Sequence, residues 1–354
     1  MPRARRSLPL ATGRGLLESP PSRFAGLRYE AAGDGTEDEG AGPSTEVVFE
    51  RARTILSFNQ SPDLPFAASL NPYRGCEHGC AYCYARPSHE YLGLSAGLDF
   101  ETRIVAKENA PELLRCALAK PSWTPQPIAL SGNTDCYQPV ERRLELTRRC
   151  LQVLAEFRNP VAVVTKSHLV TRDLDLLGEL AAEGAASVSL SLTTLDAALA
   201  ADLEPRAARP ERRLAALRSL AAAGVPTGVL VAPVVPGLND HELPHLLEAA
   251  AAAGARHAQW LLLRLPHGVS ELFSAWLERR RPQRAAKVLA QIRCTRGGAL
   301  HDARFGRRQR GEGARAAAIA SLFELWRRRL GLSAEPPQLS TAAFRRPGAQ
   351  LRLF

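Results

Sequence analysis

No stretch of the 354-residue chain approaches the ~18 consecutive apolar residues that a membrane-spanning helix requires, so no membrane association is expected. The opening MPRARRSLPLATGRG is basic, but its apolar core is too short for a secretory signal. A cytoplasmic location follows, where thiols stay reduced. Seven cysteines, an odd number with three of them clustered, are a poor basis for a disulfide framework and read instead as a metal or redox site. Lysine is scarce. Lys107, Lys120, Lys166 and Lys287 stand against a large excess of arginine and alanine. The net charge of +10 and pI near 9.7 favour an anionic partner such as nucleic acid through attraction to phosphate, although a compositional preference for arginine accounts for part of that charge.

Residues 1–45 carry an Arg-rich patch and then AAGDGTEDEGAGPST, glycines and acids without apolar periodicity, and are expected to be disordered. Residues 46–298 repeat a unit of short apolar strand, loop and amphipathic helix, the pattern of a parallel sheet wrapped by helices. Six strands are expected: FAASLNP before the cysteines, PIALSG at 127–132, VAVVTK at 161–166, VSLSLT at 188–193, TGVLVAPV at 227–234 and HAQWLLL at 257–263. One helix should begin near Pro210, carry Leu214, Leu217 and Leu220, and stop at Gly224; another should be capped by Asn239 or Asp240 and stop at Gly254. The fold class is therefore α/β, a partial (β/α)6 TIM-type barrel with a disordered N-terminal segment and a C-terminal helical extension over 299–354. In such barrels chemistry sits on loops at the C-terminal ends of strands.

Cys76, Cys80 and Cys83 lie in NPYRGCEHGCAYCYARPSH, residues 71–89, as C-x3-C-x2-C with no fourth cysteine beside them. Thiolates are soft ligands that favour zinc or iron–sulfur clusters, and a [4Fe–4S] cluster usually takes four. Three leave one iron open, and an open position makes a metal site catalytic. A zinc site completed by His78 or His89, or three structural thiols, are the alternatives. No further C-x2-C pair suggests a second cluster.

C-x3-C-x-aromatic-C after a first strand, here Cys76, Cys80, Tyr82 and Cys83, resembles the signature of the radical S-adenosylmethionine (SAM) superfamily. Within it the chain is similar to the spore photoproduct lyase-like group from about Asn71 to Gly254, through NTD (133–135), VVTK (163–166), SLSLT (189–193), LEP (203–205), RRLAAL (212–217) and VAPV (231–234). The resemblance implies a [4Fe–4S] cluster whose open iron is chelated by SAM, reductive cleavage of SAM to a 5′-deoxyadenosyl radical, lyase-like chemistry on nucleic acid of a DNA-repair kind, and an electron donor of flavodoxin or ferredoxin type. A peptide or small-metabolite substrate, or a nonenzymatic metal-bound nucleic-acid-binding module, are the competing readings.

The same resemblance implies roles for further residues. Ser131, Gly132, Asn133 and Thr134 replace the superfamily's Gly-Gly-Glu sequence near the SAM amino group, and Lys166 pairs with the SAM carboxylate. Ser191 and Thr193, alternating on one strand face, meet the ribose. Glu204 and Arg213 match polar positions of the group, with a surface ion pair as the alternative. Ala232 and Pro233 pass the adenine, and Tyr82 offers it an aromatic face. The spore enzyme type places a hydrogen-donating cysteine where this chain has Gly132; Cys136 is the displaced candidate, with a buried unreactive thiol as the alternative. Cys116 and Cys150 are expected in the core.

The run from Arg293 to Arg315 mixes arginine, glycine and one aromatic, a composition suited to phosphates or to a solvated loop, and a helix is expected over about 314–330. The chain ends in Gln350, Leu351, Arg352, Leu353 and Phe354, which resemble the peptide that docks bacterial proteins on the sliding clamp.

Overall fold

The computed structural model describes residues 13–16, 18–24 and 44–347. The sliding-clamp motif, Gln350, Leu351, Leu353 and Phe354, lies outside the described residues.

All six expected strands form. In chain order the strands are β1 (Glu46–Glu50), β2 (Leu56–Phe58), β3 (Ala68–Leu70), β4 (Tyr73–Arg74), β5 (Arg103–Lys107), β6 (Ile128–Leu130), β7 (Val161–Thr165), β8 (Ala186–Ser191), β9 (Thr227–Val234) and β10 (His257–Leu262). The six expected strands run parallel as β3-β6-β7-β8-β9-β10, and β2 adds an antiparallel edge beside β3. Near-continuous apolar runs such as Val161–Thr165 and Thr227–Val234 suit this position, because helices cover the outer face while the inner face closes on itself. Leu114, Leu154, Leu177, Leu217 and Leu247 from the covering helices are buried in one core with Val163, Val188, Leu190 and Val229.

The helices stop where the sequence indicated. Pro210–Ala222 ends before Gly224 at φ +76°, and Leu243–Ala252 before Gly254 at φ +96°, conformations that glycine adopts without a Cβ penalty. The expected cap by Asn239 or Asp240 does not form. Asn239 instead accepts the Val235 amide at 2.6 Å and donates to Thr193 O at 2.7 Å and Pro233 O at 3.0 Å, joining the loops after β8 and β9. Asp240 accepts the Gly237 amide at 3.0 Å and pairs with Arg315.

A second, three-stranded sheet, β1-β5-β4, was not foreseen; its strands are too short for alternation to stand out. Part of the N-terminal segment expected to be disordered is packed. The Gly15 and Leu16 amides donate to the Glu101 carboxylate at 2.9 and 3.1 Å, and Arg14 donates to Glu101 O at 3.0 Å. A buried carboxylate must find donors, and these supply them. Cys150 is buried as expected, but Cys116 is exposed on the outer side of helix Ala110–Ala119.

The C-terminal extension covers the other edge of the barrel. The Ser333 amide donates to Arg256 O at 2.9 Å and the Ser333 carbonyl accepts the Ala258 amide at 2.9 Å; Arg310 donates to Trp260 O at 2.9 Å and, just before the extension, Arg296 to Leu263 O at 2.6 Å. The same extension reaches the β2–β3 loop, where Arg308 pairs with Asp63 at 2.5 Å and donates to Ser61 at 2.6 Å, while the Gly306 amide meets Asp63 at 2.8 Å. The seam between β10 and β2, open in the hydrogen-bond ladder, is thus stapled by side chains. Several arginines of the 293–315 run therefore hold the fold, which neither expectation for that run described.

Candidate active site

The loop after β3 carries the three cysteines, and its shape is fixed from outside. Gly79 sits at φ +66°, and a Cβ there would fall 2.6 Å from Glu101 Oε2. Fully buried Arg86 donates to the Cys80 carbonyl at 2.8 and 3.1 Å, to Gly97 O at 2.8 Å and to Glu101 at 2.5 Å. The Cys76 amide donates to Phe100 O at 2.8 Å and the Ala81 amide to Leu203 O at 3.0 Å.

These supports turn Cys76, Cys80 and Cys83 onto the wall of one open cavity at the C-terminal ends of the parallel strands, about 1020 Å³ when the solvent space at its mouth is included. Tyr82, Ser131, Asn133, Thr134, Lys166, Ser191, Ala232 and Pro233 line the same cavity. Among the described residues no three His, Cys, Asp or Glu side chains close on a point where a single metal ion would sit; the three thiols share the wall of one cavity. Burial raises the thiol pKa of Cys76 well above its ordinary value and that of Cys80 to about 12, so a soft cation must replace a proton on binding. His89, weighed as a zinc ligand, faces away: its Nε2 pairs with Arg103 O at 3.0 Å and its ring packs on Phe100.

The turn after β6 is fastened to the cysteine loop's own base. Asn71 accepts the amides of Asn133 at 3.0 Å and Thr134 at 3.3 Å, and Thr134 donates to Tyr73 O at 3.0 Å. Ser131 adopts φ +73°, an uncommon conformation for a residue with a side chain. Gly132 is not on the wall; its carbonyl accepts the Tyr84 hydroxyl at 3.0 Å.

Asp135 is a wall residue that the sequence reading quoted within NTD but assigned no role. Its carboxylate accepts Thr165 Oγ1 at 2.7 Å and the Lys166 amide at 2.8 Å, and lies 3.4 Å from His78 Nδ1. Burial opposes its ionisation, but His78 and these donors outweigh burial and lower its pKa. The Lys166 ammonium stands 5.9 Å from the Tyr82 ring centroid. Burial opposes its charge too, yet Cys80 and Glu204 hold its pKa above the ordinary value.

Three expected ligand contacts turn out to lie behind the wall. Thr193 falls past the end of β8, so the strand alternation that would have placed it beside Ser191 no longer applies. Its hydroxyl donates to Glu204 at 2.6 Å. Glu204 and Arg213 form a buried ion pair, not a surface one, each 2% exposed. Glu204 also accepts the Tyr82 hydroxyl, while Arg213 donates to Ser191 O at 3.1 Å and Ala208 O at 2.7 Å. This group therefore orients Tyr82 and the end of β8 from behind. Cys136 is likewise off the wall: its thiol packs in the main apolar core, and burial raises its pKa well above the ordinary value.

Also on the wall, unassigned from the sequence, are Tyr84, Arg264 and Gln309. Arg264 follows β10, and one arginine among so many carries no signal in the sequence.

The radical SAM superfamily pattern matches residues 70–250 of this chain. An uncharacterized protein of Mycobacterium tuberculosis is 39% identical over 242 residues, covering 67% of this chain and 71% of its own length. A protein of Pseudomonas phage M6 named radical SAM Nalpha-GlyT isomerase is 30% identical over 194 residues, 54% of this chain and 38% of its own. Among solved structures, spore photoproduct lyase complexed with dinucleoside spore photoproduct superposes with a TM-score of 0.60 over 81% of both chains at 16% identity, which shows the shared fold.

Proposed function

The chain belongs to the radical SAM superfamily, and from that premise we propose that it is an enzyme that generates a carbon radical in the cavity and uses it on a nucleic-acid substrate, damaged DNA. The cofactors are a [4Fe–4S] cluster and SAM; bound here, the cluster would supply the electron for reductive cleavage of the sulfonium.

The donor set fits these groups. Three thiols line one cavity, and a positively charged lysine and polar backbone lie on the same wall. Cys76, Cys80 and Cys83 would hold three irons as thiolates. Lys166 would bind the SAM carboxylate as a point charge, and carbonyls and hydroxyls of Ser131, Asn133 and Thr134 would receive its amino group. Ser191 would meet the ribose, with Tyr82, Ala232 and Pro233 against the adenine. Glu204 and Arg213 act through Tyr82 and β8, holding the tyrosine hydroxyl so that its ring stays on the wall. The cavity's apolar wall around Leu230, Leu261 and Leu263 limits water near a reactive radical. The domain division is 46–298 for the barrel and 299–354 for the extension, a flavodoxin or ferredoxin type protein is the electron donor, and the location is cytoplasmic. Among the described residues no helix is long and apolar enough to cross a membrane.

The observation carrying the proposal is the convergence of three cysteines and Lys166 on one cavity at the strand ends. Nucleic acid is supported by the net charge of +10 and by the dinucleoside bound to the lyase of the same fold. Anaerobic reconstitution with iron and sulfide, followed by dithionite and SAM, tests the chemistry. The expected results are a cluster electron paramagnetic resonance signal perturbed by SAM, and 5′-deoxyadenosine as product. Deuterium passing into that product from labelled DNA, and not from labelled peptide, tests the substrate.

A further inference from the structure

At the cavity mouth the seam staple and the end of β10 concentrate positive charge. Arg308 is engaged by Asp63 at 2.5 Å, and Arg304 by Asp302 at 2.5 Å. Arg296 is buried and donates to the carbonyls of Leu263 and Arg307, each at 2.6 Å, although its Nε has no partner. Arg264, on the cavity wall, differs from all of these. Among the described residues its guanidinium makes no hydrogen bond and no ion pair, and its Nε is buried without a partner. The Tyr84 ring lies beside it, 5.2 Å from ring centroid to guanidinium carbon.

A buried, unpaired donor costs free energy, and such a group at a functional site calls for a partner from outside. The surroundings indicate its charge. Burial lowers the pKa of Arg264, as does Arg308, and Tyr84 and Asp63 offset this only in part; an anion would relieve both effects. His301, close enough for Arg264 and Arg296 to lower its own pKa further after burial, adds no negative charge. Tyr84 is 44% exposed and Phe305 is 59% exposed with Arg308 stacked 4.5 Å from its ring centroid. One aromatic face thus lies against the unpaired cation itself, and a second lies against Arg308, the neighbouring guanidinium whose charge Arg264 feels. That combination suits a strand whose phosphates take the cation and whose unstacked bases take the rings.

We propose that Arg264 is a substrate-binding residue that receives a backbone phosphate of single-stranded or locally opened nucleic acid, with Tyr84 as the stacking platform beside it. This rests on the nucleic-acid reading above and names the group that enforces it. A guanidinium can hold a phosphate with two parallel hydrogen bonds, so Arg264 would set how far the strand enters and which nucleotide reaches the cavity.

The test uses reconstituted, SAM-loaded enzyme under anaerobic conditions and a fluorescein-labelled single-stranded deoxyoligonucleotide of about ten nucleotides, beside the same sequence with uncharged methylphosphonate linkages. Anisotropy titrations over a salt series compare wild type with Arg264→Ala, Arg264→Lys and, as a charge control on an exposed helix face, Arg218→Ala. The expected result for Arg264→Ala is about tenfold weaker binding of the charged strand and a salt dependence shallower by about one counterion. Arg264→Lys, which keeps the charge but not the fork, should fall between. Arg218→Ala should stay within about twofold, and the uncharged strand should bind wild type and Arg264→Ala alike. Binding of the charged strand by Arg264→Ala or Arg264→Lys equal to wild type overturns the inference while leaving the nucleic-acid reading intact. Equal losses on charged and uncharged strands also overturn it, since Arg264 would then act by packing. No preference of wild type for the charged strand sinks both.

Discussion

The ion pair between Glu204 and Arg213 allows a worked prediction. Both residues are 2% exposed, and Glu204 also accepts hydrogen bonds from Thr193 and Tyr82. Replacing Arg213 with Met leaves a carboxylate buried without its main counter-charge, and replacing Glu204 with Leu leaves a buried guanidinium without its counter-charge and takes an acceptor from two hydroxyls. Breaking a buried pair from one side costs about 3–5 kcal/mol. The titration of Glu204 gives a second route to that figure. Burial alone would raise its pKa, but Arg213 and Lys166 pull it from 4.5 to about 2. At roughly 1.4 kcal/mol per pH unit, that depression corresponds to roughly 3 kcal/mol of stability. Its sign follows from the direction: the folded pKa is depressed, so the contribution is complete above about pH 4.5 and is lost as pH falls through about 2. Urea unfolding of the cluster-free protein at neutral pH, followed by circular dichroism, should place each single variant about 3–5 kcal/mol below wild type. The double variant Glu204→Leu/Arg213→Met should recover much of the loss, because two apolar groups of similar volume leave no orphaned charge. A cost below about 1 kcal/mol, the scale of exposed pairs, or a double variant no better than the worse single, would refute the reasoning.

Other outcomes are expected from the same structure. Any one of Cys76→Ala, Cys80→Ala or Cys83→Ala should abolish the visible absorbance of the reconstituted cluster and the release of 5′-deoxyadenosine, whereas Cys116→Ala, at an exposed thiol, should leave both unchanged; chromatography of the reaction products checks this. A Cβ at Gly228 would fall 2.0 Å from His257 Nε2, so Gly228→Ala must displace a buried ring and should destabilise the barrel by about 1–3 kcal/mol, measured by thermal unfolding. His257 itself is held neutral, burial lowering its pKa from 6.5 to about 4. Its contribution is therefore present above pH 6.5 and drains away as pH falls towards 4, and His257→Gln should flatten that part of a stability–pH curve. Asp63→Ala should free Arg308 and the amide of Gly306, seen as faster hydrogen exchange over residues 305–310 with little change in the core strands.

What could be read from the chain beforehand was local. Each parallel strand is a short apolar run punctuated by glycine or proline, so Val161–Thr165 or Thr227–Val234 announces itself, and the cysteine spacing lies within eight consecutive residues. Positions defined by contact rather than pattern were not legible. Thr193 continues an alternation that the backbone abandons after Ser191, and Cys136 lies only a few residues from Gly132 in sequence yet points into the core. Glu204 and Arg213 look like ordinary surface charges until the fold buries them together. The packing of Gly15 and Leu16 on Glu101 joins residues about 85 positions apart, across a segment whose composition suggests no structure. Arg264 has no local mark at all; only the absence of a partner within the cavity wall distinguishes it.

The side-chain staple across the barrel seam joins Asp63 to a residue 245 positions further along, and the same extension occupies backbone groups along β10. A chain cut short after residue 298 would keep every cysteine and every parallel strand, yet it would leave the β10 margin uncovered and the β2–β3 loop unpinned. Such margins recruit foreign strands. The final segment thus serves as an internal safeguard against self-association, and a fragment chosen for crystallisation or reconstitution on the basis of cofactor residues alone should precipitate where the longer chain stays dispersed.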